Sequence, residues 1–147
     1  MRDILFRAKT LSGKWVEGAY YKQELFYGDK EDAHIIITSK ETLDNDFALE
    51  RYIVIPETIG QYTGLTDKNG KKIFEGDIVK HFDNSEKKKY DIGEIYYDTK
   101  LLMWRRTTQG SFHKSLINSY KLNSDCIYEV IGNIHDNPEL RKGGDVK

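Results

Sequence analysis

Two carboxylates flank a glycine near the middle of the chain, in the segment Glu75-Gly76-Asp77. Paired acidic side chains of this kind can hold a cation or act as general acid and base. The His135-Asp136 pair near the end of the chain adds a candidate general base. No third acidic ligand stands at a useful local spacing, and Asp77 also suits a bend in which it accepts backbone hydrogen bonds. The pattern favours a turn, and an enzyme using Glu75, Asp77 and His135 is the alternative.

Metal and thiol chemistry have weaker support in the sequence. The histidines lack the spacing of a zinc site; they are His34, His81, His113 and His135. The single cysteine, Cys126, cannot form an internal disulfide, and it suits a small buried residue better than a nucleophile. There is no Walker-type glycine loop and no Gly-x-Ser-x-Gly elbow. The sequence therefore predicts no catalytic residue, no metal site and no cofactor.

A second group of residues combines positive charge with an aromatic ring. The candidate contacts to nucleic acid are Lys87, Lys88, Lys89, Trp104 and Arg105. Small β-barrels bind single strands with loop cations and exposed aromatic side chains. Alternation along a strand would place Trp104 and Arg105 on opposite faces, and the lysine run also suits a solvated loop tip. Both interpretations stay open at this point.

The stretch from Gln61 to Asp67 is a candidate recognition loop, with Gln61, Tyr62 and Asp67 as its contact residues. Tyrosine is a common contact residue in binding loops because it offers a large, rigid surface with a polar end. The alternative is structural, with Gly64 and Gly70 setting turns while Tyr62 packs inward.

Composition limits the classes of function. The chain has 147 residues, a net charge of −1, and ten Tyr, six Phe and two Trp. Such a chain can bury a core without disulfides, and nothing global attracts it to nucleic acid or membrane. Residues 24–57 hold nine acidic and three basic side chains, a balance of −6, whereas residues 80–121 hold five and nine, a balance of +4. No signal peptide and no apolar run near the ~20 residues of a membrane span is present, so we expect a cytoplasmic protein.

The pattern of apolar residues predicts short strands about every ten residues, as in antiparallel β proteins. They lie at residues 4–9, 15–22, 34–38, 52–55, 78–82, 93–97, 101–106 and 127–134. We expect the strand at 34–38 to be buried. Asn69-Gly70 predicts a type I′ hairpin turn, in which both residues take a positive φ. Residues 110–122 fit a helix or a strand.

These elements predict a mostly β fold with minor α content and antiparallel strands. The second half has the rhythm of a small SH3-like barrel. We expect an N-terminal β lobe at 1–60, a small barrel-like β lobe at 61–140 and a loose tail at 141–147, with one compact domain as the alternative.

Three segments together resemble the YopX family of bacteriophage and prophage proteins. They are MRDILFRA at residues 1–8, GQYTGLTDKNGKKIFEGDIV at residues 60–79 and YEVIGNIHDNPEL at residues 128–140. The resemblance implies a small, largely β protein encoded by phages or prophages of Gram-positive bacteria. It implies no reaction and transfers no catalytic residue.

The leading hypothesis is therefore a phage or prophage accessory protein that binds a macromolecule without catalysis. A host or phage protein is the favoured partner, and tyrosine-rich surfaces also permit a homo-oligomer. The alternatives are single-stranded nucleic-acid binding through the basic-aromatic residues and an enzyme using Glu75 and Asp77.

Overall fold

The structure is a computed structural model, and it describes residues 3–24, 32–41, 47–83, 90–107, 115–116 and 126–142. These residues form strands β1 Phe6–Lys9, β2 Trp15–Gln23, β3 Ala33–Glu41, β4 Phe47–Ile53, β5 Gly60–Thr66, β6 Lys72–Phe74, β7 Asp77–Asp83, β8 Tyr90–Asp98, β9 Met103–Arg106, β10 Ser115–Leu116 and β11 Cys126–Asn133. Their only helical elements are short 3₁₀ turns at Pro56–Thr58 and Pro138–Lys142. The mostly β, antiparallel prediction is confirmed.

The predicted minor α content has no counterpart in the part of the chain that the structure describes. Most of residues 110–122 and the tail beyond Lys142 lie outside the described residues, while Ser115–Leu116 forms the short strand β10. Neither short 3₁₀ helix of the described residues could span a lipid bilayer.

The chain divides into two compact units, Met1–Tyr62 and Thr63–Lys147. In the first unit, β4, β3, β2 and β1 pair in that order, and the start of β5 pairs with β1. Every pairing is antiparallel. As in any β-strand, successive side chains point to opposite faces of the sheet. One face forms a core of Ala8, Val16, Ile36 and Val54, against which Phe6, Tyr20, Tyr52 and Ile59 pack.

In the second unit, the end of β5 pairs with β6, and a five-stranded sheet has the order β10-β9-β8-β7-β11. The last strand therefore lies beside β7 and shifts register between Val130 and Gly132, where a bulge admits one extra residue. The core consists of Leu65, Ile73, Val79, Ile95 and Trp104, with Tyr128 and Val130 packed against it.

The hairpin predicted at Asn69-Gly70 is present, but the type I′ prediction is wrong. Gly70 has φ +80° while Asn69 keeps a negative φ. The Gly70 N–H donates to the Asp67 carbonyl at 3.0 Å, and the Asp67 N–H donates to the Lys71 carbonyl at 2.8 Å. This is a tight turn followed by a left-handed glycine, the usual geometry of a three-residue hairpin loop. The Asp67 carboxylate selects it by accepting the Asn69 N–H at 2.8 Å.

Gly93 is required where β8 approaches the residue after β9. A Cβ at Gly93 would overlap the Thr107 carbonyl oxygen and lie 2.7 Å from Arg106 Cγ. We therefore predict that Gly93→Ala lowers the free energy of unfolding by more than about 3 kcal/mol, since the backbone must shift. Urea unfolding measures this change. The control is Gly13→Ala, where a Cβ meets nothing within 4 Å and only the strain of φ +83° applies, about 1–2 kcal/mol. Equal losses in the two variants would contradict the prediction.

Candidate functional site

The first unit exposes an apolar sheet face on the side away from its core. Register places Tyr21 of β2 opposite Ile35 of β3, and Ile35 opposite Ile53 of β4. Tyr21 is 53% exposed and Ile53 is 57% exposed. We call this surface the β2–β4 face; its members are Tyr21, Ile35, Ile37, Leu49, Arg51 and Ile53.

The centre of the β2–β4 face is a hollow of about 360 Å³. It is lined by Tyr21, Gln23, Ile35, Ile37 and Arg51. Arg51 is exposed and pairs in register with Ile37, so one cation stands among aliphatic side chains and a phenol. Tyrosine and arginine, together with tryptophan, are enriched at energetic hot spots of protein interfaces. The arrangement suits a partner with an apolar patch and an acceptor group.

The expectation that the strand at 34–38 is buried was wrong for two of its isoleucines. Ile36 is fully buried, but Ile35 and Ile37 lie on the β2–β4 face and are half-buried. Three successive isoleucines in a strand must place apolar side chains on both faces. The three successive isoleucines are the sequence feature that indicates this surface. The prediction of a buried strand places all three of them in the core.

Two of the three residues of the predicted recognition loop lie in a strand. Gln61 and Tyr62 belong to β5, both are half-buried, and the Tyr62 N–H donates to the Leu5 carbonyl at 2.8 Å. Asp67 follows the strand and is only 7% exposed. A role for these residues in recognition stays a prediction.

Asp67 instead ties the hairpin to the last strand. Its Oδ1 accepts the N–H groups of Asn69 and Lys71 at 2.8 and 2.9 Å, and its Oδ2 accepts the Val130 N–H at 3.1 Å. Burial opposes ionisation and by itself raises the pKa of this carboxyl. The three backbone donors stabilise the anion and outweigh burial, so the pKa of Asp67 falls below its ordinary value of 3.8.

The predicted nucleic-acid contacts do not form one surface among the described residues. Trp104 is 1% exposed in the core and meets the edge of Tyr97 with ring centroids 5.0 Å apart. Arg105 is adjacent on β9 and lies on the opposite face, where its guanidinium is 3.4 Å from the Asp98 carboxylate. A base cannot stack on Trp104 while the indole is buried. Lys87, Lys88 and Lys89 lie outside the described residues.

The acidic pair lies at the connection between β6 and β7, with Glu75 in the turn and Asp77 at the start of β7. Asp77 is fully buried, and its Oδ2 accepts the Phe74 N–H at 2.8 Å. Gly76 has φ +79°, and a Cβ placed there would lie 3.9 Å from His135 Nε2, so His135 does come close to the turn. In the described ranges, no group of three or more His, Cys, Asp or Glu side chains could hold a metal. Catalysis by Glu75, Asp77 and His135 stays untested.

Fold and surface together define a small antiparallel β protein with two compact units and an exposed apolar sheet face. The YopX protein family matches residues 5–142, so this chain belongs to the YopX family and the resemblance is confirmed. The chain is also similar to the crystal structure of protein EF1440 from Enterococcus faecalis, with 30% identity and a TM-score of 0.50. That match covers 95% of this chain and 99% of EF1440. A comparison with curated proteins gave no match.

We predict that Asp67→Asn lowers the free energy of unfolding by about 1–3 kcal/mol near neutral pH, because an amide nitrogen cannot accept the Val130 N–H. The wild-type carboxylate has a folded pKa below its unfolded value of 3.8. Its stabilisation is therefore present above that value and is lost as pH falls through the folded pKa. Urea unfolding across this range should show the gap between wild type and variant narrowing in acid.

The control for this experiment is Glu139→Gln, which removes one exposed carboxylate of the same unit. It should leave stability within about 0.5 kcal/mol of wild type at every pH. A gap between wild type and Asp67→Asn that stays constant down to acid would show that the carboxylate's charge is not what holds the hairpin.

Proposed function

We propose that this protein is a non-catalytic binding protein that engages another protein through the β2–β4 face. The observation that carries the proposal is the exposure of Tyr21, Leu49 and Ile53 beside Arg51, on a sheet whose other face is the core. Soluble proteins seldom expose contiguous apolar surface of this kind unless something binds there.

The face has the chemistry of the centre of a protein interface. Leu49 is 68% exposed and Ile53 57%, so covering them removes apolar area from water at about 25 cal/mol per Å². A standard interface takes about 800 Å² from each partner and concentrates its energy in a few central side chains. Tyr21 and Arg51, next to the hollow, are the candidates for that centre.

Charge favours a protein partner over a nucleic acid at this surface. The first unit, Met1–Tyr62, has eight basic and eleven acidic residues, a net charge of −3. A polyanion gains its affinity chiefly by releasing counterions from several basic contacts. The β2–β4 face offers one cation, Arg51, in an acidic unit.

The resemblance implies a protein encoded by phages or prophages of Gram-positive bacteria, which supports an accessory role in the phage cycle, and we propose that the protein acts in the host cytoplasm. We also propose that residues 61–140 form the small SH3-like barrel that the sequence predicts. The alternative of an enzyme using Glu75 and Asp77 has less support, since Asp77 is buried and accepts a backbone N–H in a turn.

The test uses paired charge substitutions on the exposed face. We predict that Leu49→Glu with Ile53→Glu lowers retention of the partner at least about tenfold, because two apolar contacts become buried charges. The wild-type chain and the variant serve as bait in nuclease-treated lysate of a Gram-positive host. A photo-crosslinking residue at position 21 identifies the protein that contacts the face.

The matched control is Ile4→Glu with Leu11→Glu, which makes the same change at residues 72% and 75% exposed in the same unit. A partner that crosslinks at position 21 and is lost only from the face variant supports the proposal. Equal retention by both variants would refute it. If light scattering shows a wild-type dimer that only the face variant abolishes, a second copy of the chain occupies the face instead.

A further inference from the structure

The second unit has an outward row of rings on the face opposite to its core. Phe82 of β7 pairs in register with Tyr90 of β8 on one side and with Ile127 of β11 on the other. The two rings have centroids 5.8 Å apart and are tilted by 51°. Tyr90 is 42% exposed, Ile127 is 37% exposed and Phe82 is half-buried. We call these three residues the aromatic platform.

A lysine ammonium group lies over each ring of the platform. The Lys80 ammonium lies 4.7 Å from the centroid of Tyr90, and the Lys68 ammonium lies 4.9 Å from the centroid of Phe82. Cations over aromatic faces are attracted by the ring quadrupole, so both ammonium groups are held at the platform. The side chain of Lys68 is 39% exposed and therefore accessible to a ligand.

From this geometry we infer that the aromatic platform binds single-stranded nucleic acid. In the complex, the Lys80 and Lys68 ammonium groups move from the ring faces to phosphates, and bases take their places on Tyr90 and Phe82. Such platforms bind without sequence preference because every base has a π-face. Charge is consistent with this: the second unit, Thr63–Lys147, has fifteen basic and thirteen acidic residues, a net charge of +2.

The carboxylate of Glu129 competes with a bound phosphate for Lys68, and this competition gives the inference a specific test. Glu129 Oε2 lies 2.7 Å from Lys68 Nζ, and Glu129 also pairs in register with Lys80. A phosphate must compete with this carboxylate for Lys68, which lowers affinity. Removing the charge of Glu129 should therefore strengthen binding, an effect that a purely structural ion pair would not give.

This surface is distinct from the β2–β4 face and belongs to the other unit. It uses residues other than Trp104 and Arg105, because Tyr90 is exposed whereas Trp104 is buried. The inference goes beyond the proposed protein-binding function. The variant with Leu49→Glu and Ile53→Glu should bind oligonucleotide like wild type. The protein-binding proposal and the nucleic-acid inference can therefore be refuted separately.

The test is fluorescence anisotropy with a labelled oligothymidylate of about 15 nucleotides, read at about 50 and 200 mM salt. Wild type should bind with a dissociation constant in roughly the micromolar range at the lower salt. Tyr90→Ala should weaken binding about tenfold, the loss of one stacked base, while Tyr90→Phe retains it. Lys80→Gln should weaken binding and reduce the salt slope by about one.

Glu129→Gln should tighten binding, whereas Glu139→Gln, which makes the same charge change on an exposed turn, should have little effect. Thermal unfolding checks that Tyr90→Ala folds. If it does not fold, Lys80→Gln and Glu129→Gln test whether the platform binds the oligonucleotide. No binding at low salt would overturn the inference. So would binding unaffected by Tyr90 and Glu129, or equal binding of a duplex of the same length.

Discussion

The buried carboxylate of Asp67 is the interaction on which the second unit depends. It accepts three backbone N–H groups, and the donor on Val130 is 63 residues away along the chain. The neighbouring Lys68 N–H donates to the Tyr128 carbonyl at 2.9 Å, so the β5–β6 hairpin is fastened to β11 at two points. Because β11 pairs with β7, the same attachment fixes Ile127 beside Phe82 on the outward face. The segment at residues 60–79, which resembles the YopX family, thus stabilises the second unit through hydrogen bonds to backbone groups.

That arrangement explains why residues that suggest chemistry in the sequence have structural roles. Asp77 repeats the pattern of Asp67 on a smaller scale: it is fully buried and holds a turn by accepting the Phe74 N–H. A buried carboxylate without donors would be strongly destabilising, so a position that supplies backbone N–H groups tolerates one. Asp67 and Asp77 therefore stabilise turns through backbone hydrogen bonds, and neither carboxylate lies on the surface of the protein.

The sequence was sufficient to predict what alternation and turn residues determine: antiparallel strands, the hairpin at Asn69-Gly70 and a strand around Ile36. It could not predict which face of a strand is covered, because that depends on register between distant segments. Phe82 and Tyr90 become neighbours only when β7 pairs with β8. The residue type of Trp104 does not tell whether its ring is exposed or buried, and alternation along β9 places it in the core.

Both surfaces that we propose as binding sites arise from one property of β-strands, the alternation of side chains between the two faces of a sheet. A strand that contributes Ile36 to a core necessarily presents Ile35 and Ile37 outward, and β7 does the same with Val79 inside and Phe82 outside. Polar residues on the outward face would suffice for folding. The outward faces here carry exposed aliphatic side chains in an acidic unit, and rings covered by lysines in a basic one. Folding does not require either composition, and the two differ in the ligand that each would accept, which is why we propose a different partner for each face.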